Sequence, residues 1–408
     1  MIIWYMSAYD QPLGKSSRTY DFSIQLSNMG HEVTMFTNSY CHWSHIDILG
    51  GKERSKIEEI NGIKVVWLKT YPYSGNGLKR GINMITNVFR SLQVEKTINQ
   101  KPDIIIGPSV PIGTGWAAFR IAKKYNIPFV YEVRDVWPIA LVDDGGLSKN
   151  NPIYFIFRLI EKTLYKQSVK ISSTLRFLQK HVKESGSDPE KIEWIPNGVD
   201  FSRFNNCAKY NGGDKNAIKV MYIGGFGQAH DVITLVKCAK LFNDKKDTRF
   251  NFTIIGDGPK KGECVEFSIR HKLLNIEFRD SVEKSEIPKL QEKSDILIAC
   301  VLDSKIYRFG LNLNKVYDYM ASARPVILSA EVVDNPITKS KSGYVVKPEN
   351  PLLIYNALCE YIDLTPNERK AMGENGFNYV KNHFNMKILG EKMSKTLIDA
   401  VNIFNNRK

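Results

Sequence analysis

Residues 1–36 read MIIWYMSAYDQPLGKSSRTYDFSIQLSNMGHEVTMF, and the way this stretch divides decides the fold. Residues 1–6 are an apolar run of strand length. Past a turn-rich loop, Ser16 or Ser17 can cap a helix over 17–29 whose Phe22, Leu26 and Met29 share one face, and Gly30 stops it. His31-Glu32-Val33-Thr34-Met35-Phe36 then returns as a strand. Strand, helix and strand in 36 residues is the sequence form of a parallel βαβ unit. The opening run lacks a basic flank and soon meets Asp10, so it reads as a first strand and not as a signal peptide.

The same alternation continues outward. Further strands are expected at 64–68, 103–106, 127–133, 169–173 and 192–195, with helices at 81–99, 113–124, 151–167 and 175–185. Pro196-Asn197-Gly198-Val199-Asp200 closes this half, and the polar stretch 205–216, with Gly212 and Gly213, reads as the linker. The pattern then restarts. Strands are expected at 218–223, 250–255, 276–279, 295–300 and 325–329, with helices at 229–242, 260–272, 285–293 and 314–322. Ser294-Asp295-Ile296-Leu297-Ile298 echoes Pro102-Asp103-Ile104-Ile105-Ile106. The expected architecture is α/β: two Rossmann-like, doubly wound domains, residues 1–200 and 201–385, with helices near 351–362, 366–382 and 386–405 ending the chain.

Of 408 residues, 43% are hydrophobic and 11% aromatic, which suffices for full-sized cores and excludes a largely disordered chain. The net charge of +14 is spread over both halves and fits a solvated basic surface, an anionic substrate or an anionic membrane. No Arg-rich arm or nucleic-acid motif is present, so no nucleic-acid partner is expected. The six cysteines are scattered without a CxxC pair, which argues against a zinc site or disulfide framework and for a reducing, cytoplasmic setting. No apolar run is long enough to span a bilayer.

In open parallel sheets, ligands bind beyond the carboxyl ends of the strands, where helix N-termini present free N–H groups. After the first strand come Gly14, Lys15 and Arg18, without a dinucleotide fingerprint. After 218–223 come Gly224, Gly225 and Gly227, a possible anion nest. After 250–255 come Gly256, Asp257, Gly258 and Pro259, with Lys260 and Lys261 at a helix entrance, where they either oppose the dipole in favour of an anion or are simply solvated. After 295–300 come Arg308, then Asn314 as a helix cap, Lys315, and Asp318 one turn deeper, either a ribose acceptor or an ordinary surface residue. After 127–133, Glu132, Arg134, Asp135 and Trp137 are either a functional group or a self-satisfied Glu–Arg–Asp network.

Taken in order, these motifs resemble the retaining glycosyltransferases of family 4, of GT-B fold. The family's opening Tyr…Pro…Gly loop and GHEVT resemble Tyr9 to Gly14 and residues 30–34. Its EVRDLWP resembles residues 132–138, and its IPNGVD and GDGP match residues 195–200 and 256–259. Its NKLFEYMAAGKPVI is similar to residues 314–327. The resemblance extends over almost the whole chain and is strongest to transferases of bacterial O-antigen and capsule assembly. It implies two domains facing across a cleft, an acceptor-side first domain joined by a final helix near 386–408, and a donor-side second domain. The implied donor is a nucleotide diphosphate sugar, most often a UDP-sugar, and the implied acceptor is a glycan, often lipid-linked. Donor-binding roles fall to Gly14, Lys15, Asn197, Gly224, Gly225, Gly227, Gly256, Asp257, Gly258, Lys260, Arg308, Asn314, Lys315 and Asp318. Arg134 and Asp135 fill the catalytic positions, and Glu132 and Trp137 the acceptor positions. No metal and no cofactor is implied, and no D-x-D motif occurs.

The family's paired glutamates, E-x7-E, here read Gly310 and Asp318, so the first acid is missing. The family's arginine in the glycine turn and the lysine soon after it correspond to Gly225 and the stretch Ala229-His230-Asp231, which leaves Lys315, Arg308 or Lys260 to meet the diphosphate. Residues 79–101 and 149–183 mix cations with apolar side chains and are expected either to lie on an anionic membrane surface, placing the protein on the inner face of the cell membrane, or to pack their apolar faces on the sheet. A nucleotide-sugar epimerase using His230 and a non-catalytic nucleotide-sugar-binding subunit are the competing functions.

Overall fold

The computed structural model describes residues 1–12, 18–42, 44–75, 77–143, 145–205, 207–311 and 313–407. They form two compact units, Met1–Pro196 with Met386–Lys408, and Asn197–Asn385. The expected cap at Ser16 or Ser17 lies outside the described residues, as do Gly14 and Lys15.

The first unit is built on eight strands: β1 (Ile2–Met6), β2 (Glu32–Asn38), β3 (Ser55–Ile60), β4 (Ile63–Leu68), β5 (Ile104–Pro108), β6 (Phe129–Val133), β7 (Lys170–Ser173) and β8 (Ile192–Trp194). Their order is β3-β4-β2-β1-β5-β6-β7-β8, parallel except for β3. β1, β5 and β6 are near-continuous apolar runs because helices cover both faces of a parallel sheet. Ile3 sits in register with Val33 on one side and Ile104 on the other. The unanticipated β3 folds back on β4 through Asn61-Gly62, both at positive φ, which suits a tight hairpin. The final helix, Met386–Asn405, packs on Arg18–Asn28 so closely that a Cβ on Gly390 would come within 2.6 Å of the Gln25 Cβ. Its Met386, Leu389, Met393, Leu397 and Ala400 share a core with Phe22 and Leu26.

The second unit carries β9 (Ile218–Ile223), β10 (Phe250–Ile255), β11 (Ile276–Arg279), β12 (Ile296–Cys300), β13 (Val326–Ser329) and β14 (Gly343–Val346). All are parallel, in the order β11-β10-β9-β12-β13-β14, the Rossmann arrangement with its switch point between β9 and β12.

Several boundaries differ from expectation. The helix expected over 81–99 is Leu78–Ser91 followed by a short 3-10 turn, Val94–Lys96. The helices expected over 175–185 and 285–293 shrink to Gln179–Glu184 and Ile287–Gln291. The stretch 205–216 is not a loose linker. Tyr210 is buried with its hydroxyl 2.5 Å from that of Tyr361, Arg324 donates to the Ala208 carbonyl at 3.1 Å, and a Cβ on Gly213 would fall 2.1 Å from Asp295 Oδ1. The division between units falls instead at Pro196 and Asn197. Among the described residues, no helix is long and apolar enough to cross a membrane.

Candidate functional site

In the first unit the carboxyl ends of β1 and β6 meet in a buried charge network. Glu132 is fully buried at the end of β6 and accepts from Tyr5 Oη (2.5 Å), Arg18 Nε (3.0 Å) and Arg134 Nε (2.7 Å). Arg134 also donates through Nη1 to Asp10 Oδ2 and through Nη2 to Thr19 Oγ1, both at 2.6 Å. Asp10, itself buried, takes two further bonds from the Thr19 amide and hydroxyl at the start of Arg18–Asn28. Arg18 also donates to the carbonyls of Ile195 and Pro196, both at 2.8 Å. Burial pushes the Glu132 carboxyl up, but Arg134 and Arg18 outweigh it and hold the group below its ordinary range. Asp10 and Glu132 together raise Arg134 against the opposing effect of burial.

This corrects two expectations. The acid that completes the Glu–Arg–Asp network is Asp10, not Asp135, because the guanidinium turns back toward β1. Glu132 and Trp137 belong to the interior, so neither offers an acceptor-binding surface: Glu132 is held by Tyr5, Arg18 and Arg134, and Trp137 packs with Phe157 at 6.0 Å. Arg134 is bonded to Glu132, Asp10 and Thr19. Asp135 remains half-buried on the loop beyond β6, which Ser109 ties to β5 by donating to the Asp135 carbonyl (2.8 Å) and accepting from the Arg134 amide (3.0 Å).

In the second unit two glycine turns interlock at the carboxyl ends of β9 and β10. The Gly224 amide donates to the Ile255 carbonyl (3.0 Å) and the Phe226 amide to the Asp257 carbonyl (2.9 Å). A Cβ on Gly256 would lie 1.9 Å from the Gly224 oxygen, and one on Gly258 2.8 Å from the Phe226 backbone, so both are glycine for packing. Gly225 and Gly227 differ. A Cβ there would meet nothing nearer than 3.7 Å and 3.5 Å, so the fold itself does not demand glycine at either place.

Beside these turns starts the helix Asn314–Ala321, pinned to β9 by Tyr319 Oη, which bonds both the amide (2.9 Å) and the carbonyl (2.7 Å) of Ile223. Lys315, in its first turn, lays its ammonium 4.5 Å from the centre of the buried Tyr222 ring and 2.8 Å from its hydroxyl. A Cβ on Gly224 would come within 2.6 Å of Lys315 Nζ, so glycine there makes room for the ammonium. Among the described residues no carboxylate pairs with Lys315, and burial lowers its ammonium from 10.5 to about 8. His230 Nδ1 accepts from the Gly227 amide at 3.3 Å, and burial together with Lys315 lowers its imidazole to about 4.

Gly224, Gly225, Gly227, Asp257 and Lys315 are thus brought together, joined by His230 and by Tyr222, which sequence reasoning did not place there. Asn314 is not the cap: Leu313 holds that position without a side-chain bond, and Asn314 is the first helical residue. Asp318 lies one turn deeper, half-buried, with Arg203 at 3.5 Å. Lys260 precedes the helix Lys261–Arg270 and is half-buried. Arg308 is exposed, stacked on Phe309 at 4.5 Å, and Asn197 opens the unit half-buried. Among the described residues no His, Cys, Asp and Glu cluster is built to hold a metal.

Residues 14–198 match the glycosyl transferase 4-like domain and residues 217–363 the glycosyl transferases group 1 domain, together well over half the chain. The chain is 22% identical over 304 residues to the probable glycosyltransferase WbjE of Pseudomonas aeruginosa, over 70% of this chain and 73% of that protein. It is 23% identical over 236 residues to the UDP-Gal:alpha-D-GlcNAc-diphosphoundecaprenol alpha-1,3-galactosyltransferase of Escherichia coli, over 54% and 57%. Sucrose-phosphate synthase from Thermosynechococcus elongatus aligns over 97% of both chains with a TM-score of 0.74 and 14% identity. Anabaena HepE, solved with UDP-glucose, aligns over 98% of this chain and all of its own with a TM-score of 0.69 and 13% identity. At such identities the solved structures speak to the fold alone, while the two matched domains speak to the family: the chain belongs to the glycosyltransferases of GT-B type.

Proposed function

We propose that this protein is a retaining transferase that moves a hexose or N-acetylamino-hexose from a UDP-sugar to a lipid-linked glycan in bacterial surface-polysaccharide synthesis. One observation carries the donor part: a desolvated lysine with no counter-ion among the described residues, at a helix start and beside a glycine turn, on the carboxyl edge at the switch point. A diphosphate supplies the missing negative charge. HepE with its bound UDP-glucose supports the choice of donor, and the diphosphoundecaprenol acceptor of the Escherichia coli relative supports a lipid-linked acceptor. Retention rests on the resemblance to family 4. In such a reaction the acceptor hydroxyl attacks the anomeric carbon on the face the diphosphate leaves, and its proton passes to the departing phosphate oxygen. The chain's own contribution is then electrostatic: Lys315 and the turn amides of residues 224–227 stabilise the leaving charge.

A thermal-shift panel of nucleotide sugars tests this reading. At a hundredfold excess over Kd, the right donor stabilises by about 2.7 kcal/mol. UDP-sugars should raise the melting temperature more than GDP- or ADP-sugars, and a panel without any shift would sink the proposal. Nuclear magnetic resonance of the product reads the anomer, and donor incubated alone should give slow hydrolysis and no epimer.

The membrane side rests on two helices that flank Ile112–Tyr125. Leu78–Ser91 exposes Leu78, Ile85 and Phe89 along one face, and Pro152–Gln167 exposes Ile153, Phe155, Ile156 and Leu159. The apolar side chains of these segments therefore divide: Leu164 and Tyr165 are core, whereas these seven meet solvent. With Lys79, Arg90, Lys162 and Lys166 among them, these faces suit anionic lipid, each cation contributing about 1 kcal/mol near the surface. Vesicles containing phosphatidylglycerol should float the protein and pure phosphatidylcholine should not; equal flotation with both would remove the electrostatic part.

A further inference from the structure

Beyond the carboxyl ends of β1, β2 and β4, three loops of the first unit bring their aromatic side chains together. Tyr9 follows β1, Tyr40, His42 and His45 follow β2, and Tyr73 follows β4. The His42 ring packs against Tyr9 (5.2 Å, tilted 39°) and Tyr73 (5.7 Å, 26°), and Tyr40 packs on Tyr73 at 5.2 Å. Arg80, in the first turn of Leu78–Ser91, sets its guanidinium 5.7 Å from the Tyr9 ring centre. His42 Nδ1 and Tyr73 Oη are 2.5 Å apart, and Tyr40 Oη and His45 Nδ1 3.0 Å. Tyr40 and Tyr73 are buried, while Tyr9, His42 and Arg80 are half-buried and His45 is exposed.

Here every ring has a polar edge, and the rings come from three separate loops on the edge where ligands of such sheets bind. Burial and the nearby Arg80 lower the His42 imidazole to about 4, so it is neutral near pH 7 and presents a ring rather than a charge. Positive charge is left to Arg80. A stacked ring face with one guanidinium beside it matches a sugar ring that bears an anionic group.

We infer that Tyr9 and His42, packed on buried Tyr73, form with Arg80 an acceptor subsite that takes a sugar ring against the half-buried Tyr9 and His42 rings and its anionic substituent on the guanidinium. The inference rests on the transferase reading and adds to it the chemistry of the acceptor. A phosphate-linked sugar and a uronic acid share that chemistry, and the experiment separates them.

Saturation-transfer nuclear magnetic resonance on the full chain, with UDP present, would use N-acetylglucosamine 1-phosphate, glucuronic acid and neutral N-acetylglucosamine. The wild type should bind the anionic sugars more tightly than the neutral one. Preference for the phosphate names a phosphate-linked acceptor, and preference for the carboxylate a uronic acid. Arg80→Gln should weaken the anionic probes about tenfold and leave the neutral one unchanged. His42→Leu and Tyr9→Leu should weaken all three. Melting curves, and the thermal shift given by UDP-sugars, show that each variant is folded with its donor side intact. If the wild type binds none of the probes, or the folded variants bind them as the wild type does, the inference is overturned. A UDP-sugar shift surviving that result leaves the donor reading standing, whereas loss of that shift in the wild type strikes the donor reading alone.

Discussion

Lys315→Met is expected to lower turnover about 10²–10³-fold, the loss typical of removing one aligned group that stabilises a leaving charge. The fold should survive, because the ammonium is a desolvated charge with no counter-ion among the described residues, and methionine keeps the length of the stem over Tyr222 while removing that cost. Lys315→Arg should not restore activity. The compact ammonium sits at one point beside Gly224 and over Tyr222, and a planar guanidinium does not reproduce that point charge. Turnover under saturating donor and the melting temperature of the same samples check both statements. A Lys315→Met variant with near-normal turnover would take Lys315 out of the site.

The lowered ammonium also sets a pH dependence of known sign. Free, Lys315 loses its proton near pH 8; with a diphosphate beside it, the proton is held to higher pH. Donor affinity should therefore fall as pH rises from about 8 toward 10.5, by up to about tenfold per unit, and be insensitive to this group below 8. Without donor, stability moves the other way in that window, since the unfolded chain binds the extra proton and the folded chain does not. Calorimetric titrations in two buffers at pH 8.5 should show proton uptake in the wild type and none in Lys315→Met.

Most of the sheet framework was legible because parallel strands buried on both faces leave dense apolar runs, as in Ile104–Pro108 and Ile296–Cys300. β3 escaped because Lys56, Glu58 and Glu59 mask an edge strand; the signal that was there was the Asn61-Gly62 turn. Lys315 could be singled out by its place at a helix start after a strand, but Tyr222, which holds it, lies 93 residues away in the chain. The glycines divide in a way spacing cannot show: Gly256 and Gly258 answer to a neighbouring backbone, while Gly225 and Gly227 stand clear of it. Around Arg134 the local pattern offered Asp135, yet the acid in the network comes from Asp10, 124 positions earlier, because parallel strands bring their carboxyl ends together regardless of separation.

That network fixes what Arg134→Met should do. Glu132 and Asp10 are both buried and share this guanidinium, so removing it leaves two carboxylates in the interior with Arg18 as the remaining cation on Glu132. Breaking a buried pair from one side costs about 3–5 kcal/mol, and in a unit of this size that lowers the melting temperature by roughly 6–20 °C. The loss should depend on pH. In the wild type the depressed Glu132 carboxyl contributes stability above its unfolded value near 4.5, and this is lost as pH falls through the folded value. In Arg134→Met, burial is opposed by less positive charge, so Glu132 protonates at higher pH than in the wild type. The gap between the two melting temperatures should then be widest at pH 7 and narrow toward pH 5. Melts followed by circular dichroism at both values read it directly. A variant that melts with the wild type yet has lost turnover would instead return Arg134 to the substrate, as a residue whose guanidinium leaves Glu132 and Asp10 when the sugar binds.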